Sequence, residues 1–321
     1  MFKNKYPLKL LSIISLAIIV LTTIFVAIFG VNTSVEIGGG YQLEVKLSYE
    51  KNGEYFAGTE NAETYLEKTK DVLDSYGCKV DSYFVEDKLV DTYLIVRIAD
   101  AQVEGANNIA GSVALKLGLN TTDVAIHQLS SYFTNNIMLY IGLAILTVII
   151  ICFFAGWLRY SLMGGITLAF AVLHNLILSL ALIFLTRVQF SMVSLVAVLA
   201  LTVYSIFAFT SILERVKENN KSKQYAELTH DQKLISATKQ NKHLYLICII
   251  LLAVSLAIIF VPVRYIQLAA VSVQLAVIAC VFTFTFIAPA LYAYLADFQT
   301  NKEKQKLSKN VVQKTAKNKQ K

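Results

Sequence analysis

A single apolar run, Leu8 to Gly30, is separated from a block of further apolar runs by about 105 mostly polar residues, Val31 to Asn135. A bilayer core of roughly 30 Å accommodates about 20 apolar residues in helical form. Runs of that length have few ways to bury themselves in a water-soluble fold. The chain is therefore constrained to a set of membrane-crossing helices with one soluble domain threaded into the first connection. Composition agrees: 56% hydrophobic against 16% charged residues lies outside the range of ordinary soluble domains.

Six runs are long enough to span: Leu8 to Gly30, Ile137 to Trp157, Leu162 to Thr186, Phe190 to Leu213, Leu244 to Val263, and Ile266 to Leu295. The first could also be read as a signal peptide, because Lys3, Lys5 and Lys9 precede it. Its apolar core is longer than the roughly 7 to 15 residues of a signal peptide, and no A-x-A cleavage site stands near Gly30. A retained anchor is the expectation.

Lysine and arginine set the expected orientation. With the N-terminus inside, 19 of the 29 basic residues fall on one side: Lys3, Lys5, Lys9, Arg159, the loop 214–243 and the tail 298–321. The short loops opposite carry only Arg187 and Arg264, so positive-inside places both termini in the cytoplasm and domain 31–135 outside. That domain holds 16 of the 22 acidic residues against 8 basic ones. The overall +7 charge thus combines an acidic external domain with a basic cytoplasmic face, which topology and contact with anionic membrane lipid account for, and it implies no nucleic-acid partner. The tail from Asn301 is rich in Lys, Gln and Asn, as disordered segments are. Cys78, Cys152, Cys248 and Cys280 are scattered, giving neither a disulfide framework nor a metal-ligand spacing. No cofactor is expected.

The external domain alternates strand and helix patterns. Gln42 to Leu47 alternates with Leu43, Val45 and Leu47 on one face. Asn61 to Tyr76 carries a helical stripe, with Glu60 and Glu63 at its start and Gly77 after its end. Lys79 to Val85 and Leu89 to Ile98 read as a hairpin turning at Glu86-Asp87. A second helix over Val103 to Leu117 and a strand over Asp123 to Leu129 complete a β-α-β-β-α-β order, the ferredoxin-like pattern. Its His127 has no nucleophile or carboxylate pair placed around it by sequence, so an enzyme is not expected.

Inside the spans the telling residues are polar. His174 and Asn175 lie well within an apolar helix, where such residues usually face a bundle interior. Interhelical hydrogen bonding and an ion path both explain them. Tyr204 and Ser205 lie in a helix that runs straight into Glu214-Arg215-Val216-Lys217-Glu218-Asn219. An ordinary snorkelling helix end also accounts for those charges.

Several of these segments, in order along the chain, resemble SecF-type protein translocase subunits of the SecD/SecF family. Val35-Glu36-Ile37-Gly38-Gly39-Gly40 is similar to the segment in which an acid and a Gly-Gly pair open that family's external domain. There adjacent glycines would let the domain pivot. Arg159-Tyr160 is similar to its Arg-Phe, Leu173-His174-Asn175 to its Leu-His-Asp, and Tyr204-Ser205 to its Tyr-Ser. Glu214-Arg215-Val216-Lys217-Glu218-Asn219 is similar to its Asp-Arg-Ile-Arg-Glu-Asn, and Phe286-Ile287-Ala288-Pro289 to its closing Phe-Ile-Ala-Pro.

The resemblance implies half of a transmembrane core of resistance-nodulation-division type in a bacterial cytoplasmic membrane. Its partner half would be SecD. Together they would assist gradient-dependent export of unfolded polypeptides beside the SecY/SecE/SecG channel, with YajC and a YidC-type insertase as further candidate partners. The departures are instructive. Asn175 stands where the family has Asp, Phe207-Ala208 follows Tyr204-Ser205 where an Asn-Asp pair is usual, and Cys280-Val281-Phe282-Thr283-Phe284 replaces Gly-Thr-Tyr-Ser-Ser. No Asp or Glu remains inside a span, and an Asn cannot exchange a proton at physiological pH. His174, Asn175 and Ser205, with Arg215, then form a polar lining while coupling rests on the partner half or is weakened. A small-molecule or lipid transporter of the same superfamily and a membrane scaffold are the alternatives. The lack of internal duplication argues against the former.

Overall fold

A computed structural model describes residues 8–47, 49–51, 54–56, 62–88, 91–99, 106–130, 135–222, 225, 227–261 and 264–300. Lys3, Lys5, Glu60 and the basic tail from Asn301 lie outside the described residues.

Helix α1, Leu8–Phe29, leads into one turn of helix, α2 (Val35–Gly38), and then into an α+β domain. The domain is built from β1 (Gly40–Lys46), β2 (Tyr49–Lys51), β3 (Glu54–Phe56), α3 (Ala62–Ser75), β4 (Val80–Lys88), β5 (Asp91–Ile98), α4 (Ala106–Leu117) and β6 (Val124–Leu129). Four strands form an antiparallel sheet in the order β4-β5-β1-β6, and β2 with β3 makes a separate two-stranded ribbon that the sequence pattern did not announce.

Period-two alternation produces the core of this domain. Leu43 pairs with Val96 and Ile126, and Val45 with Leu94 and Val124, so one sheet face is a continuous aliphatic layer. Leu66, Val72 and Leu73 of α3 and Ile109 and Val113 of α4 join the same cluster. Both helices stop at a left-handed glycine, Gly77 (φ 72°) and Gly118 (φ 72°). In each case the next amide reaches back five residues, Cys78 to the Leu73 carbonyl and Leu119 to the Ala114 carbonyl, at 2.9 Å. The expected turn at Glu86-Asp87 is displaced. Those residues pair with Tyr93 and Thr92 inside the ladder, and β4 runs on to Lys88 opposite Asp91. Cross-strand pairing outweighs the weak turn preference of two acids.

The rest of the chain is helical: α5 (Asn135–Arg159), α6 (Leu162–Leu185), α7 (Met192–Asn219), α8 (His230–Gln240), α9 (Lys242–Ile259) and α10 (Arg264–Phe282). A π-helical turn over Thr283–Ile287 extends α10, and the apolar helix continues to Thr300. Among the described residues, α1 and five of these helices, all but α8, are long and apolar enough to cross a membrane. Leucine, isoleucine and phenylalanine stay exposed on their outer faces, while the core shared by α6, α7 and α10 is rich in alanine and hydroxyl side chains. That distribution is the one expected where lipid replaces water. Helix α7 runs through the charged segment to Asn219, past the end expected at Leu213.

Glycines let α5 and α6 touch. A Cβ on Gly165 would lie 2.5 Å from the Phe153 carbonyl oxygen, and one on Gly156 would lie 2.9 Å from Gly165 Cα. The π-turn has a local cause in Pro289, which has no amide to return to the Thr285 carbonyl and so breaks the i to i−4 ladder. Helix α8, absent from any span, is capped by Thr229 and Gln232 and buries Leu234 and Ala237.

Candidate functional site

The middle of the bundle holds a chain of neutral hydrogen bonds centred on His174. One ring nitrogen, Nε2, is 2.7 Å from Ser15 Oγ of α1. The other, Nδ1, is 2.9 Å from Thr283 Oγ1 at the start of the π-turn. A hydroxyl can donate or accept, so either neutral tautomer of the ring is satisfied. Phe170 and Phe282 lie face-on to the imidazole, with centroids 5.9 and 6.3 Å away. The residue thus ties α1, α6 and α10 together inside an aromatic sleeve. Ser15 belongs to a face of α1 that also buries Leu11 and Thr22, and the Thr22 hydroxyl donates to the Ala181 carbonyl at 3.3 Å.

Asn175 looks the other way, toward α7. Its Nδ2 donates to Thr202 Oγ1 at 2.9 Å, and that hydroxyl donates to the Val198 carbonyl at 2.8 Å. Its Oδ1 is buried without a hydrogen-bond partner. Two residues further along α7, Tyr204 donates to the Leu244 carbonyl of α9 at 2.7 Å. Ser205 is fully buried, its hydroxyl facing the Cys280 thiol. Near the other end of α7, Ser194 Oγ is 2.8 Å from Ser272 Oγ of α10. His174, Asn175 and Ser205 therefore all face the interior, although on different seams.

Arg215 does not join them. It is a half-buried residue near the end of α7 that donates to Glu218 at 3.0 Å, one helical turn away. Arg159 Nε instead donates to Glu214 at 2.5 Å, linking the end of α5 to α7, and Asn219 donates to Gln240 of α8 at 2.9 Å. The charged motif at the end of α7 is thus a set of struts at the bundle end.

At the opposite end the sheet domain is rooted in the α6–α7 connection. Asn32 and Ser34 exchange backbone hydrogen bonds with Phe190 at 2.8 and 3.0 Å, forming a one-residue parallel bridge. Arg187, in the left-handed region at φ 58°, donates to the Phe29 and Gly30 carbonyls at 2.9 Å each and so caps α1. Gln189 donates to Asp81 of β4, whose other oxygen accepts from the Val35 amide at 3.4 Å. The Glu36 side chain lies outside the described residues. Gly39 takes φ 79°, a value that glycine favours. Gly40 is needed for close packing, since a Cβ there would stand 2.2 Å from the Ile98 carbonyl oxygen. The pair makes a tight corner leading into β1.

The model of the family described as "Protein export membrane protein SecD/SecF, C-terminal" matches residues 111–297. The chain belongs to the SecD/SecF family. Its fold is similar to a crystal structure of SecDF in a super-membrane-facing form, with a TM-score of 0.68 at 15% identity over 95% of this chain and 40% of that one. It is also similar to the crystal structure of SecDF from Thermus thermophilus, a translocon-associated membrane protein, with a TM-score of 0.58 at 16% identity over 91% of this chain and 38% of that one. This SecD/SecF-family chain therefore spans about 40% of the length of the solved chains it matches. No curated protein matches it by sequence.

Sequence reasoning singled out His174 and Asn175 but not Ser15, Thr202 or Thr283. Hydroxyls in apolar helices commonly bond their own i−4 carbonyl, so a lone Ser or Thr gives no distance signal. The Thr283-Phe284-Thr285 alternation just before Pro289 was the one local hint. In sequence Arg187 is one loop charge among others, because its capping role depends on a contact across 157 residues.

Proposed function

We propose that this chain is a SecF-type half of a SecD/SecF translocation device in a bacterial cytoplasmic membrane. The observation that carries the reading is coverage: nearly the whole chain overlays about two-fifths of a SecDF chain. The remainder would be a SecD-type partner. SecF rather than SecD rests on the small domain between α1 and α5 and on the Glu36-Gly39-Gly40, Tyr204-Ser205 and Glu214-to-Asn219 segments. The order β4-β5-β1-β6 with two helices supports reading that domain as ferredoxin-like. The distribution of Lys and Arg supports an extracytoplasmic domain and cytoplasmic termini.

In this reading the pair assists gradient-dependent translocation of unfolded polypeptides beside SecY/SecE/SecG. The bonds of Phe190, Arg187 and Gln189 to the domain root would pass movement between the α6–α7 hairpin and the domain. A bundle interior joined by neutral hydrogen bonds, with carboxylates only at the span ends (Glu214, Glu218 and Asp297), supports leaving ion coupling to the partner. The test is isolation of the full chain from its native membrane. Recovery with a SecD-like subunit and the SecY channel is expected. Recovery alone, with export unaffected by deletion, would contradict the assignment.

A further inference from the structure

A cleft of about 360 Å³ lies between α5, α6 and α7 at the end of the bundle remote from the sheet domain. Its walls include Cys152, Ala155 and Gly156 of α5, Leu168 of α6, and Ile206 and Phe207 of α7. Helix α5 leans on α6 through the glycine contacts and so stands away from α7. The gap is bridged only at its end, where the Tyr160 hydroxyl donates to the Thr210 carbonyl at 3.2 Å and Arg159 pairs with Glu214. Ile151 and Phe207 on its edges are exposed, so the cleft opens sideways onto the exposed apolar surface of the bundle.

Size and charge identify the occupant. From Arg159 back to Ile151 a helix rises about 12 Å. That is close to the roughly 15 Å of hydrocarbon in one leaflet. A second helix, about 10 Å across, cannot enter a slot closed at its end by two side-chain bridges. At the mouth the Arg159 side chain is 65% exposed, and Lys217 reaches its carbonyl at 3.5 Å. Two cations against the single anion Glu214 leave a net positive charge where a headgroup would sit.

We propose that this cleft binds an anionic phospholipid, one acyl chain lying along Ala155, Gly156 and Phe207 and the phosphate meeting Arg159 and Lys217. The lipid fills the space that α5 and α7 leave and staples the two helices at the membrane surface.

The full chain is made with Trp157→Phe, which removes its sole tryptophan, and Phe207→Trp, which places a reporter in the cleft. It is reconstituted in equimolar phosphatidylglycerol and phosphatidylcholine vesicles, with one lipid or the other carrying brominated acyl chains. Brominated phosphatidylglycerol is expected to quench with about fivefold higher apparent affinity, the effect of one net basic charge at a membrane surface. Lys217→Gln, which leaves the Arg159–Glu214 pair in place, should bring that ratio toward one. Ala155→Phe should weaken quenching by both lipids while thermal unfolding stays unchanged. Equal quenching by the two lipids in the starting protein would overturn the headgroup site. Quenching that Ala155→Phe leaves intact would overturn the acyl slot, as would a reporter that no lipid quenches, since a protein helix then covers it.

Discussion

The two hydrophobic interiors of this chain are built on different rules. In the sheet domain the buried residues are mostly large and aliphatic, Leu43, Leu73, Leu94, Ile98 and Ile109 among them, with few buried polar side chains such as Thr69 and Thr92. In the bundle large apolar residues also face outward, and the interior mixes Leu168, Phe209 and Phe284 with Ala171, Ala208, Ala276 and Ala288 and with the polar His174, Asn175, Ser194, Ser205 and Thr283. Water drives the first arrangement by rejecting apolar surface. Lipid exerts no such force between helices, so close backbone approach and hydrogen bonds decide the second.

Substitutions that should act on one interior and not the other can break this contrast. The largest effect is expected in the domain. Leu43→Ala, which empties a fully buried site between β5 and β6, should cost ~2–5 kcal/mol, read as lost hydrogen-exchange protection across β1 and β5 with the bundle unchanged. In the bundle the matching injury is an addition. Gly165→Val should push α5 off α6 and cost ~1–3 kcal/mol in thermal unfolding of the purified chain. A domain-only loss of protection would show that the contact is dispensable.

Polar bonds rank next. His174→Leu removes the partner of two hydroxyls and should cost about 1–2 kcal/mol. A double-mutant cycle with Ser15→Ala should show coupling between the two sites, and strict additivity would mean the bond contributes nothing. The smallest effect belongs to the domain surface. The Asp91 carboxylate, 2.9 Å from Lys46, accepts its hydrogen bond and raises that ammonium above the ordinary lysine value. Because the folded-state value is raised, the stabilisation is complete below the unfolded value, about pH 10.4, and is lost as pH rises through the folded one. The pair is partly exposed, so screening holds it below about 1 kcal/mol. Lys46→Met should therefore match the parent above that window and fall slightly short of it at neutral pH.

The same contrast explains what could be read from sequence. Alternation in Leu43-Glu44-Val45 and the stripe in α3 repeat at short range, so strands, helices and the six spans were legible. Where two short-range signals competed, at Glu86-Asp87, the ladder won over the turn. The bundle interior was legible only in half: His174 and Asn175 stand out because strongly polar residues are rare there. Their partners Ser15, Thr202 and Thr283 do not, since hydroxyls are common in apolar helices. The joint at Arg187 and Phe190 depends on segments 29–34 and 187–190 meeting in space, which no periodicity encodes.

The most direct test of the central claim is gradient-dependent export by His174→Gln. Glutamine can bond to both Ser15 and Thr283 but cannot carry a proton at physiological pH. If His174 acts through neutral hydrogen bonds, export and its dependence on the gradient should be retained in His174→Gln and impaired in His174→Leu. An assembled His174→Gln protein that exports without responding to the gradient would contradict the account and make His174 itself the proton carrier.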